Sequence, residues 1–284
     1  IAGLANVGLN FLLVLVFHLD VAGVAIGTIV SQAISCIMIV LSLMRRKGIV
    51  HLDLKKLKVD RKCLGEMILI GLPAGIQGSL FSVSNVFIQS AVNSFKTSVV
   101  VAGNTAAANL EGFVYAGMNS FYQACITFTS QNYGAGKIKN CKKALLYSQL
   151  CTIVSGVLFG GLVLLFGRPL LGIYTPNPEA IDIGMIRLEI ICTTYFLCGI
   201  MDVMVGGLRG LGYSIVPMIV SILGACVFRL IWIYTIFQVE HTLFILYISY
   251  PISWLVTGLV HLICYLVVYR KVKRKLMYLN LITD

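Results

Sequence analysis

Charge is scarce in this sequence. Charged residues make up 12% of the 284-residue chain, and Asp plus Glu number 11 against 22 Lys plus Arg. Histidine occurs four times, at positions 18, 51, 241 and 261, in no H-E-x-x-H or Ser/His/Asp arrangement, and there is no paired-carboxylate array. These gaps point away from an intramembrane enzyme. Nine cysteines occur without any C-x-x-C and mostly within apolar runs, so they read as small packing residues and indicate neither a disulfide frame nor a zinc site. "YGAGK" (Tyr133 to Lys137) lacks the G-x-x-x-x-G-K-[ST] spacing of a phosphate loop. No metal and no cofactor is expected. An initial Met and a charged leader are also missing, because the chain opens on the apolar "IAGLANVGLNFLL". An N-terminal truncation is therefore expected.

What the sequence does have is length in its apolar runs. Hydrophobic residues account for 58% of the chain, and the mean hydropathy is +0.93. A helix needs about 20 mainly apolar residues to cross a bilayer. Eight blocks meet or approach that length, at 1–17, 21–44, 65–93, 99–130, 143–167, 181–208, 215–237 and 243–269. Stretches such as "VSGVLFGGLVLLFG" (Val154 to Gly167) do not alternate apolar with polar, which excludes an outer-membrane barrel. The expectation is an all-α, polytopic transmembrane bundle of eight spans.

The net charge of +11 would fit a nucleic-acid partner if it were clustered on a folded face. Instead it sits in alternate loops, which indicates no nucleic acid. Arg45, Arg46, Lys47, Lys55, Lys56, Lys58, Arg61 and Lys62 separate spans two and three, and Lys137, Lys139, Lys142 and Lys143 follow span four. Arg209 follows span six, and Arg270, Lys271, Lys273, Arg274 and Lys275 follow span eight. Those loops hold 18 of the 22 Lys and Arg. By the positive-inside rule they are cytoplasmic, which places a multi-pass protein in the cell membrane with its C-terminus inside. The first two spans also share a layout with the last two, as expected of six-span repeats in parallel orientation.

Two spans carry polar faces. Gln77, Asn85, Gln89 and Asn93 recur on one side of span three, and Glu111, Tyr115, Asn119 and Gln123 fall at every fourth residue of span four. An unpaired polar group in hydrocarbon costs about 2–7 kcal/mol, so these faces are expected to turn to a water-filled cavity or to another helix. Hydrogen bonding that merely glues the bundle would need fewer such groups. In span six, Glu189 and Arg187 lie near the outer end, where Glu stays hydrated and Arg snorkels. Asp202 is deeper, two turns from Arg209 on the same face, and the two can be bridged through a third group. Arg229, within "ACVFRLIWIY", has to find a carboxylate, carbonyls or water. Pairs of glycines four apart, at Gly23/Gly27, Gly71/Gly75, Gly156/Gly160 and Gly206/Gly210, are read as close-packing points.

"GLPAGIQGSLFSVSNVFIQ", "LEGFVYAGMNSFYQACITFTSQNYGAGK", "FGRPLLGIYTPNPEAI", "GGLRGLGYSIVPM", Leu9-Asn10 and "GVAIGTIVSQ" together resemble bacterial transporters of the multidrug and toxic compound extrusion (MATE) family. The resemblance implies twelve helices in two six-helix lobes, of which this chain corresponds to helices five to twelve. On that mapping residues 1–44 are the last two helices of the N-lobe, 45–63 the basic cytoplasmic inter-lobe linker, 64–269 a six-helix C-lobe and 270–284 a basic tail. It implies a secondary active antiporter that exports organic, often cationic, compounds in exchange for H⁺ or Na⁺, with the lipid bilayer and small organic substrates as partners and a monomer as the working unit. A flippase for lipids or lipid-linked oligosaccharides, or an inactive fragment, are the alternatives. The family's acid on its seventh helix has no counterpart near Phe81, and its tenth-helix Asp falls at Cys198, one turn before Asp202. The N-lobe Asn and Thr of the family match Asn10 and Thr28, and Val14 stands in place of a nearby Asp. The ion-coupling candidates are accordingly Asp202, Glu111, Asn10 and Thr28. The substrate-cavity candidates are the two polar faces, and Arg229 and Glu189 are read as structural or gating charges.

Overall fold

A computed structural model of the protein describes residues 1–46, 51–56 and 58–278. Residues 47–50 and 57 of the expected linker and residues 279–284 of the expected tail lie outside the described residues. The chain divides into two units, Ile1–Arg61 and Lys62–Asp284, and no strand occurs among the described residues.

In the first unit, α1 (Ala2–Asn10) continues into a π-helical turn (Phe11–Val16), and α2 (Asp20–Arg45) packs back against it. The connection "HLD" is tight enough to put His18 and Asp20 at positive φ, 52° and 42°. Two glycines allow the approach. A Cβ on Gly23 would lie 3.1 Å from the Leu13 carbonyl carbon, and one on Gly27 would collide with Asn10 Oδ1. Small residues of this kind let helix backbones meet, and in lipid that contact carries much of the association. Asn6 Nδ2 adds a 3.2 Å bond to Ser31 Oγ across the pair. Leu54–Lys56 forms a single 3₁₀ turn.

The second unit contains α3 (Arg61–Asn93), α4 (Ser98–Gly134), α5 (Ile138–Leu165), the short α6 (Gly167–Tyr174) and α7 (Pro178–Gly210). These are followed by α8 (Ile215–Ser221), a π-helical turn (Ile222–Val227), α9 (Phe228–Tyr234), α10 (Ile236–Val239) and α11 (Leu243–Tyr278). Six helical segments are long and apolar enough to cross a membrane: Asp20–Arg45, Arg61–Asn93, Ile138–Leu165, Pro178–Gly210, Ile215–Val239 and Leu243–Tyr278. Of the eight expected spans, Ala2–Val16 is shorter than the others, and α4, though 37 residues long, is less apolar because of its asparagines and Glu111.

Helix α7 is the axis of this unit, packed by α4, α5 and α11, and it is the most buried of the candidate spans. Its approach to α5 is close enough that a Cβ on Gly160 would come within 2.7 Å of the Cys192 carbonyl oxygen. By contrast a Cβ on Gly71 or Gly75 would meet nothing within 4 Å. That pair of glycines packs against no neighbour, because spacing alone does not fix which side of α3 faces the bundle. The core runs in three clusters. One surrounds Tyr195, Tyr247 and Trp254, a second surrounds Cys125, Leu208 and Tyr265, and a third surrounds Leu171 and Leu188. Leu171 comes from α6, a helix that falls in the stretch expected to be a loop between spans.

The basic segments flank one end of this unit. Tyr269 Oη on α11 donates to the Ile138 carbonyl at the α4–α5 turn over 3.4 Å, which brings Lys137 to Lys143 and Arg270 to Lys275 to the same side. The opposite end carries the exposed ion pair Arg168–Asp182 (2.6 Å) and a contact of Ser94 Oγ with His241 Nε2 (2.8 Å).

Candidate functional site

The polar faces of α3 and α4 meet α7 along a chain of three adjoining cavities. The first, about 340 Å³, is bordered by Asn85, Gln89, Asn104, Glu111, Tyr115 and Arg187. The second, about 290 Å³, takes in Asn85, Tyr115, Tyr195, Asp202, Arg229 and Trp254. The third, about 140 Å³, includes Gln77, Tyr115, Tyr122, Asp202 and Arg209. Tyr115 borders all three.

At the first cavity Arg187 is clamped by Glu111. Its Nε donates to Oε1 over 2.6 Å and its Nη2 to Oε2 over 2.7 Å, a two-pronged ion pair with side-chain exposures of 7% and 8%. Nη1 donates to Asn104 Oδ1 over 2.6 Å, and Tyr247 Oη donates to the same oxygen over 3.1 Å. Asn104 Nδ2 then donates to Gln89 Oε1, and Gln89 Nε2 to Asn93 Oδ1, each over 3.1 Å. Four helices are thus joined by one network in which charge is matched by charge, as a desolvated ion pair requires.

At the third cavity Arg209 donates from Nη2 to Gln77 Oε1 over 2.7 Å and from Nη1 to Tyr122 Oη. Between the two arginines along α7, Asp202 borders the second and third cavities, together with Tyr115 in both and Arg209 in the third. Arg229, only 5% exposed, donates through Nε to Ser253 Oγ over 2.9 Å. Its guanidinium lies 4.1 Å from the Tyr250 ring centre and 5.7 Å from that of Trp254.

Several sequence expectations change here. Arg187 does not snorkel. It is turned inward, because the register that puts Tyr195 and Asp202 on the cavity face of α7 puts position 187 there as well. Arg209 is more than a loop charge, since it is folded between α3 and α4. Gln77, Asn85, Gln89, Glu111 and Tyr115 border the cavities, whereas Asn93 is reached only through Gln89. Asn119 is half-buried and Gln123 exposed, and neither borders the three cavities. Glu189 is exposed. Arg229 finds a serine hydroxyl and two aromatic faces, a set that the expectation of carboxylate, carbonyl or water did not include. In the first unit, Thr28 Oγ1 donates to its own helix at Val24 (2.9 Å), while Asn10 Nδ2 donates to Asn6 (3.3 Å) and its Oδ1 is buried without a hydrogen-bond partner. Asn104, Tyr195, Tyr247, Tyr250 and Trp254 were not singled out from sequence. Asn104 had a readable signal, since it lies two turns before Glu111 on the same face.

The MatE family model matches residues 73–235, more than half of the chain. The chain belongs to the MatE family. It is 25% identical over 215 residues to the probable multidrug resistance protein NorM of Thermotoga maritima, covering 75% of this chain and 46% of that protein. It is 23% identical over 237 residues to the multidrug export protein MepA of Staphylococcus aureus, covering 81% and 52% respectively. The MatE chain therefore spans about half the length of these curated relatives. Its fold matches a structure described as the outward-facing conformation of a multidrug resistance MATE family transporter of the MOP superfamily, with a TM-score of 0.86 at 19% identity. That match covers 96% of this chain and 62% of the other. The chain is a multi-pass helical membrane protein of that family.

Proposed function

We propose that this MatE chain works within a secondary active antiporter that exports organic compounds in exchange for H⁺ or Na⁺ by alternating access of two lobes. The observation that carries the reading is the row of buried and half-buried charges along the cavities of α3, α4 and α7. Ionisable groups inside a membrane are expensive and mark ion or substrate paths. Asp202, which borders a water-sized cavity on either side, is the carboxylate most available to a coupling ion. Glu111 has both oxygens occupied by Arg187, so it takes a coupling ion only when that pair opens. Asn10 and Thr28 are the first unit's contribution, with the unpartnered Asn10 Oδ1 the more available of the two. Residues 1–44 act as the end of the N-lobe, 45–63 as the linker, 64–269 as the C-lobe and 270–284 as a basic tail. The basic end faces the cytoplasm across the cell membrane, and the working unit is a monomer that carries cargo and does not transform it. The names of the relatives support a multidrug cargo.

The test is expression of the protein carrying this chain in cells stripped of their own drug exporters. Dye retention should fall and drug tolerance should rise. Asp202→Asn or Glu111→Gln should reduce efflux at least about tenfold, whereas Glu189→Gln should leave it near the wild-type level. Unchanged dye retention in the wild type, or wild-type efflux in all three variants, sinks the reading.

A further inference from the structure

We propose that Arg229 is the anchor for the carboxylate of an aromatic organic acid that occupies the cavity between Asp202 and Trp254. The proposal rests on the transporter reading and narrows its cargo to compounds bearing an anionic group.

Three arginines reach the cavity chain, and they differ in what satisfies them. Arg187 has both oxygens of Glu111 and the Asn104 carbonyl. Arg209 has Gln77 and Tyr122. Arg229 has Ser253 alone, through Nε. A guanidinium carries five N–H donors and no acceptor. Among the described residues no carboxylate lies within ion-pair distance of Arg229, and its two terminal nitrogens make no hydrogen bond. The rings of Tyr250 and Trp254 hold the cation by their faces, which lowers the cost of burial but offers no oxygen to the fork. Asp202 borders the same cavity but makes no ion pair or hydrogen bond with Arg229. A buried cation without a counter-ion is costly, so a ligand carboxylate gains there what the protein has left unsupplied.

The walls specify the rest of the molecule. Tyr195 and Trp254 are stacked, with ring centres 5.4 Å apart and planes 30° apart, and Phe81 and Met201 line the same space. Flat apolar surfaces beside one charged fork suit a planar aromatic body with a terminal carboxylate, which pairs with arginine through two parallel bonds. A purely cationic compound leaves the Arg229 fork unpaired.

The experiment measures binding calorimetrically on the purified chain in phosphatidylcholine nanodiscs. The probes are 2-naphthylacetate, its methyl ester and 2-naphthylmethylammonium. The acid should bind at least about tenfold more tightly than the ester, and the ammonium most weakly. Arg229→Gln should bring the acid down to the level of the ester without changing the ester. Arg229→Lys keeps the charge under the rings but cannot present the fork, so its acid-to-ester ratio should fall between wild type and unity; it carries the test if the Gln variant does not fold. Equal binding of acid and ester, tighter binding of the ammonium, no binding of any probe, or an acid preference that survives both substitutions overturns the proposal. A protein that binds the acid through Arg229 yet exports nothing would refute the transport reading and leave this one standing.

Discussion

Replacing Glu111 by Gln keeps the shape of the side chain and removes its charge. In the native cavity both Glu111 oxygens accept from Arg187, at 2.6 and 2.7 Å. In the variant one of those positions becomes an NH₂ that confronts the guanidinium donor to donor. Removing one member of a buried ion pair costs about 3–5 kcal/mol. Arg187 keeps its bond to Asn104 and the nearby rings of Tyr247 and Tyr250, at 5.3 and 5.6 Å, so the lower end, about 3 kcal/mol, is expected. The reciprocal Arg187→Gln strands a carboxylate for which Arg187 is the charged partner, and the upper end, about 5 kcal/mol, applies.

The double variant is the informative one. Two facing amides exchange hydrogen bonds without an unpaired charge, and swapping a buried ion pair for neutral groups is often close to neutral. The double variant should therefore be less destabilised than either single, with a coupling energy of at least about 3 kcal/mol in the cycle. At about 2–4 °C per kcal/mol for a chain of this size, Glu111→Gln lowers the unfolding midpoint by about 6–12 °C. The assay is thermal unfolding in detergent, followed by a thiol-reactive fluorophore that reaches the buried Cys125, Cys141, Cys192, Cys198 and Cys226 as the bundle opens. Additive single-variant losses in the double variant would refute the claim that the pair holds the cavity together.

Three further outcomes follow from other contacts. Gly27→Leu should cost about 1–3 kcal/mol by overpacking against Asn10, whereas Gly71→Leu should change the unfolding midpoint little, because nothing stands within 4 Å of its Cβ direction; equal effects of the two would contradict the packing of α1 on α2. Gln77→Leu leaves an Arg209 donor unpaired and should lower stability by about 1–3 kcal/mol, with Tyr122→Phe adding less than its single effect because the two share one guanidinium; full additivity would contradict that shared site. Cysteines introduced at exposed Lys142 and Glu179 should label from opposite sides with a membrane-impermeant maleimide in intact cells, Glu179→Cys from outside and Lys142→Cys only after permeabilisation. Labelling of both from one side would refute the proposed orientation.

The helices were legible because a bilayer demands long apolar runs, and nothing in a loop imitates them. Gln77, Asn85, Gln89, Glu111 and Tyr115 were legible for a related reason. Hydrocarbon penalises each of them, so a recurrence of every fourth residue has few explanations other than an inward face. The aromatic walls were not legible. Tyr195, Tyr250 and Trp254 are equally at home against lipid, in a core or beside a cavity, so their residue type says nothing about direction. The short α6 was hidden because eight residues rich in Gly and Pro give too brief a pattern for periodicity. Asn119 and Gln123 show the converse limit. They continue the period of Glu111 and Tyr115 along α4, but they do not border the described cavities.

The two arginines of α7 show where position along the membrane and position around a helix come apart. Position within the span placed Arg187 near the outer end, counting charge by loop placed Arg209 at the basic end, and both placements concern only the long axis. Around the axis, 187, 191, 195, 198, 202 and 209 are separated by three, four or seven residues, the spacing that returns a helix to one face. Ile191, Tyr195 and Cys198 belong to the core or the cavity walls, so that face was already committed to the interior. An arginine on such a stripe cannot reach water by uncoiling its side chain along the surface; it has to be met from inside. The polar side chains of α3 and α4 supply that meeting, Glu111 and Asn104 for Arg187 and Gln77 and Tyr122 for Arg209. The polar faces and the inward-turned arginines are therefore one feature distributed over three helices, and neither is stable in lipid without the other.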